Sequence, residues 1–133
     1  MSFERSVVGQ RRGALHLNTA LRCVFWLLLL LIVALTIIPP TLRPITRVPH
    51  GFEHIGIFML LGICFSTGYR WRSDAFLALL ALIAGLELVQ VVIPGRHGRV
   101  SDFVENALGL TAGICIVYSV KWLFQRFAYR GFG

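Results

Sequence analysis

The chain alternates four long apolar runs with short polar connectors. Ala20 to Ile38, Phe52 to Gly68, Ala75 to Ile93 and Phe103 to Trp122 each approach the roughly 20 residues that cross a hydrocarbon core of about 30 Å at 1.5 Å per residue. Pro39 and Pro40 halt the first run, because proline lacks an N–H and its ring clashes with the preceding turn, and Pro94-Gly95 halts the third with turn chemistry. Connectors of about 6 to 13 residues leave no room for an inserted soluble domain, so successive helices are expected to run antiparallel. The expected fold is an all-α integral membrane protein with four transmembrane helices in an antiparallel bundle. The bundle should occupy residues 20–124, with residues 1–19 and 125–133 as an N-terminal segment and a C-terminal tail.

The first run also has the look of a signal peptide, with Arg5, Arg11, Arg12 and Arg22 ahead of the apolar stretch from Trp26 to Leu35. No small-x-small cleavage site precedes the prolines and the run is long enough to span, so a retained anchor is expected.

Composition agrees with this pattern. With 56% hydrophobic residues, 14% charged residues and a mean hydropathy of +0.74, the chain is unlike a water-soluble globule. A formal charge of +7 would suggest nucleic acid in a soluble chain. Here the basic residues flank apolar runs, as loops beside spanning helices do, so nucleic acid is not the expected partner. Cys23, Cys64 and Cys115 lie within apolar runs without a CxxC pair and read as free thiols.

Orientation follows from the basic residues. With both ends on one side, that side holds nine of them (Arg5, Arg11, Arg12, Arg22, Arg70, Arg72, Lys121, Arg126 and Arg130) against four on the other (Arg43, Arg47, Arg96 and Arg99). The positive-inside rule then places both termini in the cytoplasm. Glu53, Glu87, Asp102 and Glu105 fall toward the outer ends of helices two to four, together with His50, His54 and His97.

An ionisable residue within a span costs at least roughly 2.5 to 3.5 kcal/mol on insertion scales, so Glu87 needs a reason to be there. Gln90 at i+3 shares its face, which turns a carboxylate and an amide into the bundle together. The alternative reading is that Glu87 is protonated or paired with an arginine only for packing. In the fourth run, Asp102, Asn106, Gly109 and Gly113 lie within about 40° of one face at 100° per residue. The glycines form a small-xxx-small stripe that admits a neighbouring helix. Asp102 with Glu105 also resembles a capping box, and Asn106 also reads as a purely structural interhelical hydrogen bond. Helix two opens near Pro49 with His50, Glu53 and His54, where a histidine is often only a hydrated surface group. Histidines at i and i+4 face together, but no HExxH or cysteine-histidine set accompanies them, so no metal or other cofactor is expected. A GxSxG elbow and a phosphate-cradling glycine loop are absent as well.

Taken together, Glu87-Leu-Val-Gln90, Pro94-Gly95-Arg96 and Asp102-Phe-Val-Glu-Asn106-Ala-Leu-Gly109-Leu-Thr-Ala-Gly113 resemble the VanZ-like membrane protein family, whose pattern runs E..Q, R, D...N..G...G. His54, opening helix two before an apolar run with Gly62, is similar to that family's histidine. The resemblance spans about His50 to Gly113. This chain has His50 and Gly51 where many members carry an acid and a lysine, so a role for that pair does not carry over. The resemblance implies a small multi-span protein of the bacterial inner membrane and a link to resistance against the glycopeptide teicoplanin.

Two classes of function follow. The first is a polar site at the outer face that binds or acts on the headgroup of an envelope lipid or lipid-linked precursor. His54 and Glu87 would be its catalytic pair, able to move a proton. Gln90, Arg96, Asp102 and Asn106 would bind the substrate, Arg96 through its bidentate fork. The second is a non-catalytic scaffold, or a partner-binding protein, whose polar residues lock the bundle.

Overall fold

The computed structural model describes residues 2–38, 50–93 and 99–130. Four helices make up these residues: α1 (Ser2–Ile37), α2 (His50–Gly68), α3 (Ser73–Val92) and α4 (Val100–Arg130). The segments containing Pro39, Pro40, Arg43, Arg47, Pro94, Gly95, Arg96 and His97 lie outside the described residues. Each helix is long and apolar enough to cross a membrane.

α2 and α3 match their apolar runs closely, whereas α1 starts well before Ala20 and α4 continues past Trp122. Apolar runs report where a helix meets hydrocarbon or a core. The flanking Arg, Gln, Ala, Leu and Lys residues are good helix formers in water too, so the helices outlast the apolar signal. At the other end of α3, Ile93 has φ −82° and ψ 122°, with its N–H on Gln90 O at 3.3 Å. It precedes Pro94, and that position is sterically driven from the helical region to the extended one.

Arg72 and Asp74 form an exposed pair at the start of α3. The hydrogen bond to Asp74, and then its charge, hold the Arg72 guanidinium above its ordinary pKa.

α2 is the centre of the assembly, packing chiefly on α4 and next on α1. Its contacts with α4 are made backbone to backbone. A Cβ added to Gly109 would lie 2.5 Å from Ile55 O, one on Gly113 would run into Met59 O, and one on Gly62 would run into Leu110 O. The partners 55 and 59 rise with 109 and 113, so α2 and α4 run parallel. Small residues let two backbones approach in this way, and the close fit gains van der Waals contact along the shared length.

The core gathers Phe25 and Ile32 from α1, Phe58, Leu61, Cys64 and Phe65 from α2, Leu79 and Ile83 from α3, and Leu110 and Ile114 from α4. Leu61 and Leu110 are wholly buried. Many large apolar residues face outward instead, including Leu27, Leu30, Leu77, Leu88 and Leu108. Hydroxyls within the apolar segments are satisfied locally: Thr36, Ser66, Thr67 and Thr111 each donate to the carbonyl four residues back. All three cysteines are free thiols, Cys64 buried and Cys23 and Cys115 exposed.

Candidate polar site between α2, α3 and α4

The buried stripe of α3 is Leu79, Ile83 and Glu87, spaced four residues apart. Glu87 therefore occupies a position that the helix otherwise gives to aliphatic core, and it is only 8% exposed. On α4 the buried face is Asn106, Gly109, Leu110, Gly113, Ile114 and Val117, with Asn106 2% exposed at its head. His54 sits half-buried near the start of α2.

These three side chains make one hydrogen-bonded chain. His54 Nδ1 lies 2.8 Å from Asn106 Oδ1, and Asn106 Nδ2 donates to Glu87 Oε1 at 2.9 Å. The amide oxygen only accepts, so His54 Nδ1 carries the proton, and Nε2 is the basic nitrogen of the neutral ring. The amide nitrogen only donates, so Glu87 accepts as a carboxylate or through a carbonyl oxygen. Asn106 thus couples an imidazole to a carboxyl group, with its amide engaged at both ends in surroundings that strengthen hydrogen bonds.

The close helix approach creates this geometry. Asn106 stands one turn before Gly109, and His54 precedes Ile55, whose carbonyl lies against Gly109. A larger residue at 109 would separate the two helices at the level where the imidazole meets the amide.

The other candidate residues are placed differently. Gln90, half-buried one turn beyond Glu87, makes no side-chain hydrogen bond among the described residues; its backbone carbonyl accepts from Ile93. Asp102 lies inside the first turn of α4, where its N–H donates to Arg99 O at 3.0 Å and its carboxylate accepts from Ser101 Oγ at 3.0 Å. As an acid in the first turn, it complements the positive end of the helix dipole. Arg96 lies outside the described residues.

Two acids near the same end were not singled out as site residues by the sequence. Glu53 Oε1 is buried without a hydrogen-bond partner among the described residues. The Glu105 carboxylate lies over Gly51, where a Cβ would come 2.9 Å from Oε2. The absence of a side chain at Gly51 was the available signal for the second. Nothing in the pattern distinguished Glu53 from a solvated acid. Among the described residues no group of three His, Cys, Asp or Glu side chains is arranged to hold a metal ion.

No protein-family model, no curated protein and no solved structure matches this chain.

Proposed function

We propose that the chain is a VanZ-like, multi-pass protein of the bacterial inner membrane, with four antiparallel spans, both termini in the cytoplasm, and a polar site at the outer face. The site binds, or acts on, the polar headgroup of an envelope lipid or lipid-linked precursor, and through it the protein bears on glycopeptide susceptibility. The observation that carries this reading is the His54–Asn106–Glu87 hydrogen-bonded chain, drawn from three helices. Membrane residence is supported by four sufficiently long apolar helices with aliphatic side chains directed outward. A buried carboxylate held on an amide, with an imidazole on the amide's far side, is costly to keep in such surroundings unless it does chemistry or binding.

In this reading His54 Nε2 takes a proton from a headgroup hydroxyl or from water, and Asn106, held in turn by Glu87, fixes the orientation of the ring. Arg96 engages a phosphate or carboxylate with its fork, and Gln90 and Asp102 contact the polar part of the headgroup. The scaffold reading has its own observation, because Asn106 uses both faces of its amide within the protein, as a structural lock would.

Two measurements test the proposal. A phosphatase fused after Gly133 should be inactive in the periplasm, while one inserted near Arg43 should be active; activity at Gly133 overturns the topology. In a deletion strain, Glu87→Gln and Arg96→Ala should each accumulate like the intact protein yet fail to restore its teicoplanin susceptibility and co-purifying lipid profile. Full restoration by both variants favours the scaffold.

A further inference from the structure

The opposite end of the bundle carries a second constellation, about 20 Å from His54 along α2 at 1.5 Å per residue. There Asn18, Arg22, Thr67, Tyr69, Arg70 and Lys121 line an open groove of about 480 Å³. Arg22 Nε donates to Gly68 O at 2.7 Å and its guanidinium lies 5.0 Å from the centre of the Tyr69 ring. Trp26 Nε1 donates to the Tyr69 hydroxyl at 2.9 Å, fixing that ring. Lys121 Nζ donates to Ser66 O at 3.0 Å. Two cations from α1 and α4 thus converge on the carbonyl end of α2, where its dipole is negative.

Capping alone leaves much of this arrangement unexplained. Arg22 uses Nε, which leaves the two terminal nitrogens of its fork, and Lys121 uses one of three donors. Arg70, also on the groove, makes no hydrogen bond among the described residues, and no carboxylate among them pairs with Arg22, Arg70 or Lys121. Three cations around one hollow, with no counter-charge paired to them among the described residues, repel one another. An anion in the hollow removes that repulsion and meets a ready set of N–H donors. Next to the groove, beyond Tyr118, lies a second hollow of about 500 Å³ lined by Val120, Trp122 and Leu123. The two hollows share Tyr118 and lie at the same level of α4, so a cationic groove stands beside an apolar surface lined by Trp and Tyr, the setting of a lipid phosphate at the membrane interface.

We infer that this groove is a binding site for the phosphate of an anionic phospholipid in the leaflet at that end of the bundle, held by Arg22, Arg70 and Lys121, with the apolar part of the lipid next to the phosphate resting on the hollow beside Tyr118. The ligand is lipid-borne phosphate, because a free phosphate ion makes no use of the apolar hollow.

The test is native mass spectrometry and lipid titration of the full chain in detergent, with phosphatidylglycerol, phosphatidylcholine and inorganic phosphate as separate additions. The intact protein should retain phosphatidylglycerol in preference to phosphatidylcholine, and inorganic phosphate should not displace it. Arg70→Gln removes a side chain with no described contact, so it should melt like the parent and bind phosphatidylglycerol roughly fivefold more weakly, as expected for one cation near a membrane surface. Arg22→Gln should weaken binding at least as much, read alongside its thermal unfolding because it also loses a cap. Arg99→Gln, exposed at the other end, should bind like the parent. Equal retention of both lipids, equal binding by the parent and Arg70→Gln, or equal losses in Arg70→Gln and Arg99→Gln would overturn the site. Displacement by inorganic phosphate would overturn its assignment to a lipid.

Discussion

Alanine at Gly113 is expected to destabilise the bundle by about 1–3 kcal/mol, and alanine at both Gly109 and Gly113 by more. The cause is backbone contact. The added methyl at 113 would meet the Met59 carbonyl group and Ile63 N at 3.0 Å, and at 109 it would meet Ile55 O at 2.5 Å and Ile55 Cα at 3.0 Å. None of these atoms belongs to a side chain that rotates away, so α2 and α4 must separate along a shared length. Separation uncovers Leu61 and Leu110 and lengthens the His54–Asn106 bond at the same time. Gly85 and Gly56 are the controls, because a Cβ at either meets nothing within 4 Å. Alanine there should be neutral or stabilising by up to about 1 kcal/mol, since it removes the entropic cost of glycine in a helix. Unfolding by denaturing detergent or steric trapping reads both sets. Equal effects at 85 and 113 would refute close backbone packing as the reason for the glycine stripe.

The second large effect is expected at Asn106. Leucine at this position takes a donor from Glu87 and an acceptor from His54 in a nearly inaccessible place, at a cost of about 1–3 kcal/mol for polar groups left short of partners. Leucine at Glu87 has the complementary effect, stranding the Asn106 amide nitrogen. Changing both replaces an interacting polar pair with apolar volume, and exchanges of that kind are often nearly neutral. The double-mutant cycle should therefore show a coupling of about 1–3 kcal/mol, with the double variant more stable than the sum of the singles implies. Glu87→Gln should fold like the parent, because its side-chain oxygen still accepts from Asn106. Additive effects in the cycle would mean that the 2.9 Å contact carries no energy. A stable double variant that keeps activity in the cell would assign the cluster to architecture alone.

The sequence by itself determined the four helices, their order and much of the polar machinery. Spanning length is set by hydrocarbon thickness, helix ends by proline chemistry, and the shared face of Asp102, Asn106, Gly109 and Gly113 by helical periodicity. These are properties of one segment at a time, legible without knowing the neighbours. The sequence also brought His54, Glu87 and Asn106 forward as candidates, because a polar side chain in an apolar run is conspicuous against its surroundings.

Only the tertiary structure decided which of these meet. Gln90 and Asp102 shared a helix face with true participants, yet neither enters the hydrogen-bonded chain. A face is tens of degrees wide, whereas a hydrogen bond tolerates only tenths of an ångström. The pairing of α2 with α4 rather than with its sequence neighbour α3 was equally invisible, because the Gly109 and Gly113 stripe announces a close neighbour without saying which helix it is, and Gly62 answers it only once two backbones touch. The same holds at the far end. Arg22, Arg70 and Lys121 are distant in sequence, and each alone reads as a loop-flanking charge. They form one cationic groove only because α1 and α4 both pack on α2, whose terminal carbonyls draw Arg22 and Lys121 inward.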